Sequence, residues 1–105
     1  MNLPVLGGPQ ATGRSPHWPA VRRRWLRTNP VCAVLGCGRR HLPVVRANDV
    51  HHVTPFHLNP ELELDPNNLI TLCRPHHLTY GHFGNWRGIN VWVRRDTARG
   101  TLWPR

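Results

Sequence analysis

The segment Asp49-Val50-His51-His52-Val53-Thr54-Pro55 decides how the rest of this sequence is interpreted. It places two adjacent histidines between apolar residues, just ahead of a proline. Successive side chains of an extended strand point to opposite faces, so His51 and His52 are expected to face different surroundings. One imidazole could then bind a metal ion while the other faces a substrate.

The composition indicates one small domain with a strongly basic surface. The chain has 105 residues and a formal net charge of +9, from 14 basic and 5 acidic side chains, and every basic one is an arginine. Domains of this size bury a modest fraction of their surface and often depend on a metal or on disulfides. Arginine binds phosphate bidentately, so the charge favours a nucleic-acid partner, although a GC-rich genome would also enrich arginine.

The cysteine and histidine usage favours metal binding. The three cysteines are an odd number, and there is neither a signal-peptide pattern nor an apolar run long enough to span a membrane. We therefore expect a cytoplasmic protein without a membrane partner, in which clustered cysteine and histidine bind metal. Seven of the eight histidines fall between His41 and His82.

The two ends of the chain differ from its middle. Residues 1–16 are rich in glycine and proline and are predicted to be a flexible arm. Residues 17–93 are predicted to form the folded domain, and residues 94–105 a basic tail that either follows DNA or is solvated. Within the domain, a helix is predicted from Trp18 to Asn29-Pro30, with an apolar stripe that favours the core over a base-stacking role.

Four residues farther along have the spacing of a zinc site. Cys32 and Cys37 lie in a glycine-containing turn, and Cys73 and His76 follow a predicted strand at C-x-x-H spacing. Together these four residues, called the knuckle residues below, offer the ligands of a closed tetrahedral zinc site, or zinc knuckle. Three unrelated buried cysteines are the alternative.

The secondary structure around the histidines is predicted to be a hairpin followed by a helix. One strand covers residues 44–53, and a second, antiparallel strand covers residues 68–72. The helix that follows continues to Tyr80 and ends at Gly81, where glycine would adopt the left-handed conformation. The fold class is therefore α+β, a small ββα core preceded by a helix and joined to the zinc knuckle.

This arrangement places three histidines close together. Neighbouring side chains on a helix are turned by about 100°, so His77 points away from the knuckle and toward the hairpin. His51 and His77 could share a divalent ion, which leaves His52 as a neutral imidazole able to act as a general base. A metal with open positions, a base and a basic surface suit phosphodiester hydrolysis.

The motifs His51-His52-x-x-Pro55, Asn68-Leu69 and Leu72-Cys73-x-x-His76-His77 resemble those of the HNH endonucleases. These are the ββα-metal, or His-Me finger, nucleases, and the resemblance is to the small stand-alone bacterial or phage type with a zinc knuckle. It extends from Trp18 to Trp86. The order and spacing of the motifs together are more specific than any one of them.

The resemblance implies a role for four positions. His52 matches the general base, while His51 and His77 match ligands of the catalytic divalent ion, which would be Mg²⁺, Mn²⁺, Ni²⁺ or Zn²⁺. Asn68 matches the asparagine that ties the loop between the strands and helps orient the base. The knuckle residues would hold a structural Zn²⁺.

The sequence departs from the family pattern at two places. His76 stands where the fourth knuckle ligand is usually cysteine, and zinc accepts either. Colicin-type members carry a further metal-binding histidine one turn after the last one, but that position here is Gly81, and His82 comes one residue later. On a continuous α-helix His82 would point away from His77, so it is a ligand only if the helix unwinds, and otherwise a surface or capping residue.

Other candidate residues are less constrained by the pattern. Asp49 either orients an imidazole or is an acid at the strand edge without that role. His41 and His57 are expected at the surface. Seven arginines are candidates for DNA contact or for a solvated surface: Arg22, Arg23, Arg27, Arg39, Arg40, Arg74 and Arg87.

These observations favour a metal-dependent DNA endonuclease or nickase acting on double-stranded DNA. The alternative is a zinc-stabilised nucleic-acid-binding module without hydrolytic activity. A structural zinc protein with a protein partner is a third hypothesis, supported only by the tryptophans.

Overall fold

The computed structural model describes residues 14–42 and 47–102. Within these ranges the chain forms a two-stranded antiparallel sheet surrounded by short helices. The elements are, in order, α1 (Trp18–Thr28), β1 (Asp49–His52), two 3₁₀ turns (Pro60–Leu62 and Pro66–Asn68), β2 (Leu69–Leu72), α2 (Arg74–His76) continuing into a π-helical turn (His77–Gly81), and α3 (Val93–Arg99). The predicted α+β class with a ββα core is confirmed.

The hairpin places the two adjacent histidines beside the start of β2. Its register pairs Asp49 with Leu72 and His52 with Leu69. The first strand is shorter than predicted: residues 43–46 lie outside the described residues, and Asn48 is not in the strand. Instead, the buried Asn48 amide donates to the carbonyls of Pro30 and Arg39, at 3.0 and 2.9 Å, and so joins two chain segments.

Helix α1 packs its apolar stripe against the sheet, as predicted. Leu26 is buried together with Val50 and Leu69, and the tryptophans of α1 pack around this cluster. The Trp25 indole N–H also donates to the Thr71 hydroxyl at 2.9 Å. The contacts between α1 and the sheet fix one side of the hairpin.

The region expected to be a tail contains a helix, α3, which the sequence analysis did not predict. Val93 packs with Ile70 and Leu72 in a second core cluster, and Asp96 is 0% exposed. A backbone hydrogen bond of 2.8 Å from the Leu35 N–H to the Thr97 carbonyl ties α3 to the turn between Cys32 and Cys37, called the knuckle turn below. The expectation of a basic tail is therefore wrong for residues 94–99, because this segment completes the core.

Part of each predicted chain end lies outside the described residues, namely 1–13 of the arm and 103–105 of the tail. Residues 14–16 of the predicted arm are described, and the Ser15 backbone N–H donates to the carboxylate of Glu63 at 3.0 Å. The domain boundaries stay predictions. No helix within the described ranges combines the length and apolarity needed to cross a bilayer.

Candidate functional site

The alternation along β1 separates the two adjacent histidines as predicted. The His51 ring faces the π-helical turn, with ring centroids 5.0 Å from those of His77 and His82. The His52 ring lies on the other side, 4.6 Å from the ring of Trp18. The two imidazoles therefore have different neighbours and are free to do different chemistry.

His77 and His82 point their Nε2 atoms at each other across 3.2 Å. The Nδ1 atom of His77 donates to a carboxylate oxygen of Asp49 at 2.8 Å, and that of His82 donates to the carbonyl of Gly88 at 2.7 Å. When Nδ1 carries the hydrogen, Nε2 of a neutral imidazole carries a lone pair. Two nitrogen ligands of one tetrahedral ion are about 3.3 Å apart. The pair therefore fits a shared cation.

The π-helical turn explains why His82 points toward His77. Side chains five residues apart diverge on an α-helix but align on the wider π-helical turn, which closes i→i+5 hydrogen bonds. The two alternatives for His82 depended on whether the helix stays α-helical. Residues His77–Gly81 form a π turn instead, and His82 follows it with φ and ψ of −130° and 10°. The structure therefore favours the alternative in which His82 faces His77.

Gly81 has a different role from the predicted helix end. It lies buried within the π turn and is not among the residues with positive φ, which include Phe83 (φ 56°) and Gly84 (φ 79°). A Cβ atom on Gly81 would lie 2.9 Å from Cε1 of His51. The left-handed prediction is thus wrong at Gly81: this glycine makes room for the His51 ring.

His51 has the environment of a neutral metal ligand. It is buried, and its Nε2 has no hydrogen-bond partner among the described residues. Burial, together with the charges of His77 and His82 when protonated, lowers the pKa of His51 to about 3. One ring nitrogen from each of His51, His77 and His82 lies within 4.8 Å of the others. A buried polar atom without a partner is costly, and a shared ion would remove that cost.

His52 is held by a carbonyl group of the loop between the strands. Its Nε2 donates to the backbone oxygen of Glu63 at 2.9 Å, which leaves the lone pair on Nδ1. Burial lowers the pKa of His52, and the bond to Glu63 opposes that shift only in part. The imidazole is therefore neutral at pH 7 and able to accept a proton.

Asn68 ties together the loop that carries Glu63. Its side-chain oxygen accepts from the Thr54 N–H at 2.8 Å, and its amide group donates to the carbonyls of Thr54 and Leu62 at 3.0 and 3.1 Å. Thr54 follows β1 and Leu62 directly precedes Glu63. This geometry agrees with the loop-tying role that the resemblance implies for Asn68.

Asp49 contacts the candidate metal centre from the hairpin. Besides His77, its carboxylate accepts from Arg74 at 3.2 Å. Although burial acts in the opposite direction, these two partners hold the pKa of Asp49 below its usual value. Of the two alternatives for Asp49, the structure favours the one in which it orients an imidazole.

The donor atoms of the four knuckle residues are as close together as the ligands of one metal ion. Their donor atoms lie within 4.8 Å of one another, and no cysteine is in a disulfide. Cys37 Sγ is 3.9 Å from Cys73 Sγ, and His76 Nδ1 is 3.3 Å from Cys73 Sγ and 3.6 Å from Cys32 Sγ. When two atoms bind the same tetrahedral zinc ion, two sulfurs lie about 3.8 Å apart, and a sulfur and a nitrogen lie about 3.6 Å apart. The geometry favours a metal site over three unrelated cysteines.

The histidines of both strand faces open into one cleft of about 190 Å³. Its lining residues are Arg14, Val50, His51, His52, Pro55, Phe56, His77, His82 and Ile89. Glu63 and Arg14 were not predicted to belong to this site. Glu63 had one weak signal, its position between Leu62 and Leu64, whereas Arg14, in the predicted arm, was expected either to be solvated or to touch a phosphate backbone.

His41, His57 and the seven candidate arginines are not among the residues that line this cleft. His57 is exposed, as expected, whereas His41 is only partly exposed and accepts from the Asn48 backbone N–H at 3.1 Å. Arg22, Arg23 and Arg27 line a second cavity of about 230 Å³ together with His41 and Leu26. The four remaining candidate arginines are exposed: Arg39, Arg40, Arg74 and Arg87.

Residues 32–83 match the family model described as HNH endonuclease. The matched segment contains the knuckle, both strands and the π-helical turn. No curated protein and no solved structure matches the chain.

Proposed function

Because the chain belongs to the HNH endonuclease family through residues 32–83, we propose that it is a metal-dependent endonuclease or nickase that hydrolyses phosphodiester bonds of double-stranded DNA. Family membership indicates a nuclease, and the net charge of +9 favours a polyanionic substrate. The observation that carries the proposal is the convergence of three imidazoles, from His51, His77 and His82, in the same cleft as the separately held His52.

The chain offers ligands for two kinds of metal ion. His51, His77 and His82 would hold one divalent ion, with Mg²⁺, Mn²⁺, Ni²⁺ and Zn²⁺ as candidates. When bound, such an ion supplies electrostatic stabilisation of the negative charge on the phosphate and on the departing oxygen. The second site is the knuckle, where Cys32, Cys37, Cys73 and His76 would hold a structural Zn²⁺.

The chain's own residues supply the base and its position. His52 accepts a proton from water at Nδ1, because Nε2 already donates to Glu63. The Glu63 carbonyl stabilises the imidazolium that forms, since it remains hydrogen-bonded to the positively charged ring. Asn68 keeps this carbonyl in place through its bonds to Thr54 and Leu62.

The alternative is a nucleic-acid-binding module that does not hydrolyse its ligand. The arginines that line the second cavity favour it, because phosphate contacts alone would account for them. A pure binding module has no use for a neutral imidazole beside a cluster of potential metal ligands. We therefore favour hydrolysis.

Cleavage of supercoiled plasmid tests the proposal directly. We expect nicking in the presence of Mg²⁺, Mn²⁺ or Ni²⁺, and a His52→Ala variant that is slower by about 10² to 10⁴. His57→Ala, which removes an exposed histidine outside the cleft, is the matched control and should keep full activity. Equal nicking by the His52→Ala variant and the unmodified chain would refute the base assignment. Absence of cleavage with every metal would favour the binding module.

A further inference from the structure

The chain segment that precedes α1 contacts the loop that holds the base. The backbone N–H of Ser15 donates to the carboxylate of Glu63, with distances of 3.0 and 3.3 Å to its two oxygens. The guanidinium of Arg14 lies 3.7 Å from the same carboxylate. Glu63 therefore joins two features, because its carbonyl holds His52 and its carboxylate holds the segment that leads into α1.

The burial of Glu63 makes this attachment stable. Glu63 is only 3% exposed. An ionised carboxylate that is buried needs hydrogen-bond donors and an opposite charge, and removing them is strongly destabilising. Ser15 and Arg14 supply both. The segment that precedes α1 is therefore fixed at this point against the loop between β1 and β2 that carries Glu63.

Attachment to Glu63 leaves most of the Arg14 guanidinium available. Its side chain is 51% exposed, and it lies over the Phe56 ring, 5.2 Å from the ring centroid. Arginine carries five N–H donors in a planar fork, and a single contact at 3.7 Å uses few of them. Arg14 also lines the same cleft as His52 and the three clustered histidines. A held but half-exposed guanidinium in a cleft suits bidentate binding of a phosphate.

We propose that Arg14 forms a phosphate-binding subsite of the catalytic cleft and contacts a phosphodiester group of the bound nucleic acid. The inference rests on the proposed function, since it assigns the ligand from the same substrate class. Ser15, Glu63 and Phe56 position Arg14, and Glu63 links this subsite to the base. Among the arginines that line a cavity, Arg14 is distinguished by its place beside the histidines.

Equilibrium DNA binding tests the subsite without requiring cleavage. A short fluorescein-labelled DNA duplex is titrated with protein at several salt concentrations, without added divalent ion, and binding is followed by anisotropy. We expect Arg14→Ala to bind about tenfold more weakly and to lower the slope of log K against log salt by about one, as expected for a lost phosphate contact. Arg14→Lys should retain part of the affinity, because it keeps the charge but not the fork.

Arg24→Ala is the matched control, since it removes the same charge from an exposed position on α1 outside the cleft. Its affinity should remain within about twofold of the unmodified chain. Equal affinities for Arg14→Ala and Arg24→Ala would overturn the subsite, as would absence of DNA binding by the unmodified chain. If no DNA is cleaved but Arg14→Ala selectively loses affinity, the subsite stands and the hydrolysis proposal fails. If DNA is cleaved and Arg14→Ala and Arg24→Ala bind DNA equally well, the hydrolysis proposal stands and the subsite fails.

Discussion

At the residue scale, the candidate metal centre depends on a glycine, which has no side chain, at position 81. Gly81 lies under the His51 ring, where a Cβ atom would meet Cε1 at 2.9 Å and Nδ1 at 3.0 Å. Protein atoms essentially never approach so closely, so any side chain here must displace the ring. Because His51 is buried, its ring has little room to move.

Gly81→Ala is therefore expected to weaken metal binding at the histidine cluster by about tenfold or more, because the ligand ring is displaced. Isothermal titration with Ni²⁺ on zinc-loaded protein measures this affinity. The matched control is Gly84→Ala, whose added Cβ meets no atom within 4 Å but whose φ of +79° is strained. It should lose about 1 kcal/mol of stability and keep its metal affinity. Equal Ni²⁺ affinities for Gly81→Ala and the unmodified chain would contradict the steric explanation.

At the scale of elements, the four knuckle residues join the turn that carries Cys32 and Cys37 to the end of β2 and to α2. Cys32 and Cys73 belong to the core cluster that contains Leu72 and Val93, so β2 and α3 both pack against the knuckle turn. Burial raises the pKa of the Cys32 thiol to about 12. Without a metal this cysteine is a neutral buried thiol, and the turn loses the ion that would hold it to α2.

Cys37→Ser should release zinc and destabilise the whole domain, because metal binding to such sites contributes directly to folding. We expect a loss of several kcal/mol, which lowers Tm by about 10 °C or more in a domain of this size. Elemental analysis and thermal melts provide the two measurements. Ala33→Ser, an exposed substitution in the same turn, should keep its zinc and its Tm. A Cys37→Ser variant with one zinc per chain and an unchanged Tm would rule out the site.

The sequence predicted the local features of these elements better than the tertiary ones. The period-two alternation separated His51 from His52, and the paired spacings identified the knuckle residues. The π turn was not predictable, because the spacing of residues along the sequence does not distinguish i→i+4 from i→i+5 hydrogen bonds. Likewise, the role of Glu63 depends on Ser15, which is 48 residues away in the chain.

Helix α3 was missed for a related reason. It has only seven residues, VRRDTAR, and four of them are charged, so it carries little apolar periodicity. What holds it in place is tertiary: Val93 in the core, and a buried hydrogen bond of 2.8 Å from the Asn90 amide to the Asp96 carboxylate. Such contacts become visible only when the chain is folded.

At the scale of the whole molecule, the histidine cluster links folding stability to pH. The pKa of His51 is about 3 in the folded chain, against an ordinary value of 6.5, because burial disfavours its charged form. As the pH falls, the unfolded chain therefore binds a proton before the folded chain does. The contribution of His51 to stability is complete above about pH 6.5 and is lost progressively as the pH falls toward 3.

The free energy of unfolding should therefore decrease on acidification by up to about 1.4 kcal/mol per pH unit for this one group. Urea unfolding of the domain, with no metal bound at the histidine cluster, measures the slope of this free energy against pH between pH 7 and pH 4.5. His51→Gln should flatten it, whereas His57→Gln, at an exposed position, should leave it unchanged. Identical slopes for the two variants would show that His51 is not responsible.

The π-helical turn also bears on how such sites tolerate changes in chain length. His77 and His82 are separated by five positions, yet their nitrogens converge as though they lay one regular turn apart. One extra residue between two ligands is absorbed by widening a single turn, and the ring positions are kept. An insertion in a ligand-bearing helix therefore need not abolish its site, provided that a residue without a side chain falls where the widened turn meets the neighbouring ring.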